Sequence, residues 1–200
     1  MSLIEQLGIA LGLASLAGIN LYLTTLIAGC AIRFHWVELS GIYSHMSALG
    51  HPAVIGVAAV FYLIEFFADK IPWVDSMWDV IHTGIRPAGA ILLSLAVLGN
   101  MEPSVLVVAS LLAGTAALST HSTKAGVRAL LNLSPEPVTN SVASVAEDGL
   151  VLGGLGVLGF FPAVALGLFT AVVIACTAAG FWIWRRIFRL RRRKTERLTA

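Results

Sequence analysis

Asp75, Asp79 and His82 stand at i, i+4 and i+7. That spacing puts three side chains on one face of a helix. Asn140, Ser144 and Glu147 repeat it, and Asp148 follows directly. Lys124 and Arg128 are also four residues apart. All lie among apolar segments. A charge inside a bilayer costs about 2.5–3.5 kcal/mol on insertion scales, so such groups face a bundle interior or a watery cavity and pair with one another. One reading is therefore a central polar site for a small-molecule or ion substrate. Two helices supply its carboxylates, and Lys124 and Arg128 supply opposing charge. A second reading puts Asp75, Asp79 and His82 at the membrane surface as the wet start of a helix, with Glu147 and Asp148 marking a helix end. Trp73 and Trp78 fit that reading, since Trp collects at the interface.

Two carboxylates and a His also suit Zn²⁺ or Mn²⁺. Their spacing spreads them along about 10 Å of helix axis, too far for one ion. Asp79 with His82, completed by Glu147, is easier, but no dedicated ligand motif accompanies them. The metal is left unknown, and no cofactor is implied. His121-Ser122 beside Lys124 falls short of a catalytic arrangement. Gly153-Gly154-Leu155-Gly156 lacks the Gly-Lys-Ser/Thr end of a phosphate loop. Its small residues, with Gly159, suit close helix packing. His35, His45 and His51 read as loop residues.

The elements that carry these residues are apolar. Of 200 residues, 58% are hydrophobic and 12% charged. About 25% charged is usual for soluble domains. Mean hydropathy is +0.87. The net charge of +2 conceals a split. Residues 185–197 hold eight of the thirteen basic residues and Glu196, a balance of +7, and the rest of the chain carries −5. A cluster like this stays cytoplasmic under the positive-inside rule and is drawn to anionic lipid headgroups. Nucleic-acid binding is set aside on the same ground, because the tail follows a membrane span. Cys30 and Cys176 lie in apolar runs and imply no disulfide framework. Ile27-Ala28-Gly29-Cys30 resembles a lipoprotein cleavage box, but Glu5 stands where an export signal carries positive charge.

Residues 6–32 are uncharged and interrupted by Asn20. As one helix they reach about 40 Å, against a hydrocarbon core of about 30 Å. The segment is either a tilted span broken at Gly18-Ile19-Asn20 or a re-entrant hairpin. Residues 52–68 make a second span. Pro72 suits a first helical position, and 73–99 reads as a helix with a polar and an apolar half, kinked at Pro87. A turn at 100–103 leads to a span over 104–120. His121–Leu131 is too short to cross alone and reads as re-entrant or interfacial, ended by Ser134-Pro135-Glu136-Pro137. Gly149–Trp184 is uncharged over 36 residues, too long for one span. A break at Phe160-Phe161-Pro162 leaves 138–148 as the polar half of one helix and 163–184 as the last span, with Phe181, Trp182 and Trp184 as its interfacial belt. The expectation is an all-α, polytopic membrane bundle of about six spans over residues 1–184, or five if the N-terminal segment re-enters. A basic tail occupies 185–200, and both ends are cytoplasmic.

At an offset of 65, Pro72, Ser76, Val80 and Gly84 match Pro137, Ser141, Val145 and Gly149. Polar residues oppose one another at 75/140, 79/144 and 82/147. Both stretches begin on proline and turn apolar and glycine-rich, which points to an internal duplication over 72–99 and 137–161. Transporters often carry two repeats with the site between them. Whether these are parallel or inverted stays open.

Asp69-Lys70-Ile71-Pro72 with Asp75, Trp78, Asp79 and Arg86-Pro87 resembles the DUF4126 family of bacterial membrane proteins. So do Ser122-Thr123-Lys124-Ala125-Gly126-Val127-Arg128, Ser134-Pro135-Glu136-Pro137, and Asn140, Ser144, Glu147 and Asp148. The resemblance covers nearly the whole chain except the basic tail. It implies a membrane domain in the bacterial inner membrane, no assigned activity and no residue roles. Three functions stand open: a small permease or flippase-like transporter, a non-transporting scaffold or assembly factor, and an intramembrane enzyme using Asp79, His82 and Glu147. Homo-oligomerisation is left open too.

Overall fold

The computed structural model describes residues 2–36, 41–99, 101–132 and 137–199. Among these the chain is all-helical: α1 (Leu3–Arg33), a 3-10 segment (Gly41–Gly50), α2 (Pro52–Ala68), α3 (Pro72–Leu98), α4 (Pro103–Leu131), α5 (Pro137–Phe160) and α6 (Pro162–Thr199). Helices α2 to α6 each begin on a proline, where the missing N–H has no partner to lose. A capping box starts α1 instead: Ser2 Oγ accepts from Glu5 N at 3.3 Å and Glu5 Oε2 accepts from Ser2 N at 2.7 Å.

Five helices are long and apolar enough to cross a membrane: α1, α3, α4, α5 and the first 25 residues of α6. With their lipid-facing surfaces they make the chain an integral membrane protein. Expected as a full span, α2 has 17 residues, about 25 Å of helix. It forms the short member of the six.

The middle of the bundle belongs to α1. Its apolar window is 72% buried, against 17% for α5 and for α6, and every other helix packs on it. Small residues allow this. A Cβ on Gly8 would stand 2.7 Å from Leu166 N of α6, and one on Gly18 would overlap Thr120 and the Ala117 carbonyl of α4. The remaining helices turn apolar side chains outward and polar ones inward. Val80 is 75% exposed while neighbouring Asp79 is 6% exposed. That inversion suits a lipid solvent.

One open alternative is decided and one expectation changes. The N-terminal segment is one helix with a break at Asn20 (φ −146°, ψ 100°) and no hairpin. The 121–131 stretch is no separate re-entrant or interfacial helix, since α4 runs unbroken through Leu131. The reason is packing: His121, Lys124 and Arg128 are buried against partners, so their polarity does not carry the chain to water. Beyond the last apolar stretch α6 stays helical through the basic tail to Thr199. The expected break before Pro162 is present, and α3 continues across Pro87. The turn at 134–136 lies outside the described residues, as does the side chain of His45.

Candidate functional site

The site grows from the break in α1. An extended Asn20 interrupts the backbone ladder and frees carbonyls just before it. Arg86 Nη1 donates to Gly18 O at 3.1 Å and Lys124 Nζ to Ile19 O at 3.2 Å. Asn20 then caps the second half of the helix, with Oδ1 accepting from Leu23 N at 2.9 Å, as an N-cap side chain does. Its Nδ2 donates to Asp148 Oδ1 at 3.0 Å, and Tyr62 Oη donates to Asp148 Oδ2 at 2.9 Å. One asparagine thus ties α1 to α5, and Asp148 ties both to α2.

Three cations surround the break. Arg86 is fully buried and pairs with Glu65 of α2 at 2.6 Å. Its Nη1 also meets His121 Nδ1 at 2.9 Å. Guanidinium only donates, so that nitrogen accepts and His121 carries its proton on Nε2, where it meets Asp79 O at 3.1 Å. Lys124 lies between three carboxylates: Glu65 at 3.5 Å, Asp69 at 3.4 Å and Glu147 at 3.3 Å. Arg128 grips Glu147 with two donors, Nη2 at 2.7 Å and Nε at 3.0 Å, the strong bidentate form. It also donates through Nη1 to Asn140 O at 3.1 Å and Asp69 O at 3.3 Å. Removing one partner of such a buried pair costs about 3–5 kcal/mol.

All of this falls within one family match. The family described as "Domain of unknown function (DUF4126)" matches residues 7–186. The chain belongs to the DUF4126 family. The match takes in the whole charged cluster and ends with the first arginine pair of the tail, Arg185-Arg186. No curated protein and no solved structure matches the chain.

Within this DUF4126 bundle, the spacing-derived residues separate. Asp75, Asp79, Lys124, Arg128, Asn140 and Glu147 come together in the interior. Asp75 Oδ1 lies 3.9 Å from Arg128 and Asp79 Oδ1 3.9 Å from Arg86. Asp75 is 1% exposed, so the wet helix start that Trp73 and Trp78 suggested does not describe these carboxylates. Ser144 is buried beside them in sequence register. Asp148 joins through Asn20. His82 faces sideways: its Nδ1 meets Trp78 O at 2.9 Å and its Nε2 meets Tyr22 Oη at 3.1 Å. The proposed metal set of Asp79, His82 and Glu147 is not assembled; among the described residues no three His, Cys, Asp or Glu side chains stand where they could hold an ion.

Spacing missed Glu65, Asp69, Arg86, His121 and Asn20 as members. A signal was there. Arg86 extends the α3 stripe by one more turn, at i+11 from Asp75, and His121 precedes Lys124 and Arg128 at i−3 and i−7. Glu65 and Asp69 are themselves i, i+4.

Proposed function

We propose that the protein is a small permease or flippase-like transporter, and that its substrate or ion binds where the charged cluster meets the break in α1. The observation that supports this is the break itself. The central helix unwinds in mid-bundle, and its freed carbonyls meet Arg86 and Lys124 within a ring of acids. Transporters use discontinuous helices in this way, with half-helix ends and unwound carbonyls forming the site. A static anchor has no need to bury so many charges at about 2.5–3.5 kcal/mol each.

The proposal takes Asp75, Asp79 and Glu147 as ion- or proton-binding groups, and Lys124 and Arg128 as the partners of an anionic substrate group. Asn140, Ser144, His82 and Asp148 line or brace the same space. It takes α3 and α5 as duplicated arms of the site. Support comes from their shared proline starts and from buried polar residues at matched positions, Asp75 with Asn140 and Asp79 with Ser144. The membrane is the bacterial inner membrane, with the basic end of α6 cytoplasmic by the positive-inside rule. Reconstitution into proteoliposomes tests the reading. The expected result is pH- or ion-dependent solute flux that Asp79→Asn and Lys124→Ala abolish. Flux unaffected by either substitution contradicts this site.

A second reading, a scaffold or assembly factor, draws on the other end of the molecule. Phe181, Trp182, Arg185, Arg186 and Arg189 line a groove of about 310 Å³ on α6. Arg185 lies over the Phe181 ring at 5.4 Å and Arg186 over the Trp182 ring at 5.3 Å. Such a surface suits anionic headgroups or an acidic partner. A stoichiometric partner that copurifies, and is lost on deletion of 185–200, favours this reading over transport.

A further inference from the structure

Six carboxyl groups share the interior with three cations. Glu65, Asp69, Asp75, Asp79, Glu147 and Asp148 face Arg86, Lys124 and Arg128, and Lys70 at the rim reaches Asp69 and Asp148, an excess of two negative charges if every group is ionised. Glu147 and Asp148 retain some exposure. Glu65, Asp69, Asp75 and Asp79 are exposed by 0%, 3%, 1% and 6%. Unbalanced charge at such depth is prohibitive, so something positive must complete the set. The structure also leaves acceptors open: Glu65 Oε2, Asp69 Oδ1 and Asp75 Oδ1 are buried without a hydrogen-bond partner. No three acidic or His side chains converge on one point among the described residues, so a cage of side chains for a metal ion is not built here. Protons on individual carboxyls need no cage.

The pairing distances rank the candidates. Glu65 and Glu147 are held at 2.6 and 2.7 Å by arginines. Asp69 lies 3.4 Å from Lys124 and 3.5 Å from Arg128. Asp148 accepts from Asn20 and Tyr62. Asp75 and Asp79 remain: each meets its nearest cation at 3.9 Å, and that cation grips another acid more closely. They also stand one turn apart on α3, where two like charges oppose each other.

The charged groups around them are of both signs, acids on one side and shared cations on the other. Asp79 feels Lys124 of α4, Arg86 and His82 of α3, Asp69 of the turn after α2, and Glu147 of α5. Asp75 feels Arg128 and Lys124 of α4, Asp79 of its own helix, and Asp69. His121 of α4 reaches the Asp79 carbonyl, and Asn132 after α4 donates to Asp75 Oδ2 at 3.4 Å. Glu65 of α2 is one arginine away from Asp79. Among the described residues no ion pair reaches either aspartate from α1, α6 or the 3-10 segment.

We infer that this site loads protons, and that Asp75 and Asp79 are the carboxyls that hold them at neutral pH. The inference deepens the transport reading, on which it rests, by naming the proton as the coupling ion. Asp75, in the first turn of α3, is the entry position, and Asp79 lies one turn further in. Infrared spectroscopy of the purified protein in nanodiscs tests it without any flux. The C=O stretch of a protonated carboxyl is separate from the carboxylate bands and shifts in D₂O. The expected result is such a band at neutral pH, reduced in Asp75→Asn and in Asp79→Asn and lost in the double variant. Asn has the shape and neutrality of a protonated Asp, so both single variants keep the fold. No band in the unaltered protein, a band unchanged in the double variant, or failure of both single variants to fold each overturns the inference. Flux that fails while the band is present removes the transport reading alone. A missing band with flux intact removes the proton and leaves transport standing.

Discussion

The Arg86 and Arg128 ends of the cluster are built from the same kinds of group and differ in closure. Arg86 is fully buried, about 21 Å along α3 from Pro72 at 1.5 Å per residue. One carboxylate, one histidine and one α1 carbonyl surround it closely. Arg128 lies near the end of α4 and meets Glu147, whose side chain is 15% exposed, with Asp69 and Asp75 further off. Lys124 bridges the two, sharing Glu65 with the first and Asp69 and Glu147 with the second. The closed end has the character of a staple that fixes α2, α3 and α4 around the break in α1. The open end has surplus acid and one partly exposed carboxylate, so the transport reading places ligand exchange there.

Substitutions that separate the two ends rank accordingly. Arg86→Ala is the largest. It leaves Glu65 buried without its close partner and is expected to lower stability by about 3–5 kcal/mol, seen as a large fall in thermal unfolding temperature in detergent. Glu147→Gln comes next. It keeps the shape and weakens charge-assisted bonds worth about 1.5–3 kcal/mol. The expected result is a folded protein with a smaller shift and no flux. Equal destabilisation by the two substitutions would erase the distinction between the ends.

Asn20→Ala removes a cap inside α1 and the link to Asp148. Loss of an N-cap costs about 1 kcal/mol, and faster amide exchange is expected at Leu23, the residue it caps. Tyr62→Phe is the smallest, one hydrogen bond to Asp148 worth about 0.5–1.5 kcal/mol. Its unfolding temperature is expected to fall only slightly. A Tyr62→Phe effect as large as that of Arg86→Ala would place the staple at α2–α5 instead.

Much of the fold was legible because its signals are local. Prolines mark the helix starts, Asn20 marks the break, and the α3 stripe follows from spacing alone. The α4 continuation was not, because the polarity of His121–Arg128 resembles a segment leaving the membrane until its partners are known. Those partners are distant in sequence: Arg128 meets Asp69, and Arg86 meets Gly18 and His121. Glu65 and Asp69 looked like the charged end of an apolar run, and only tertiary packing turns them inward. Arg86 falls where the polar half of α3 gives way to its apolar half, and only its partners on α1, α2 and α4 show it to belong to the cluster.

The central proposal is a transport site in the charged interior, and such a site must open during a working cycle and not serve only as a staple. Accessibility of Ser144 tests this most directly. It is 1% exposed and lies one turn from Asn140 on α5. In a background with Cys30→Ser and Cys176→Ser, the Ser144→Cys variant would be treated with a membrane-impermeant thiol reagent from each side of sealed vesicles. The account expects slow labelling from both sides. A thiol that stays unreactive from either side until the protein is denatured would contradict it.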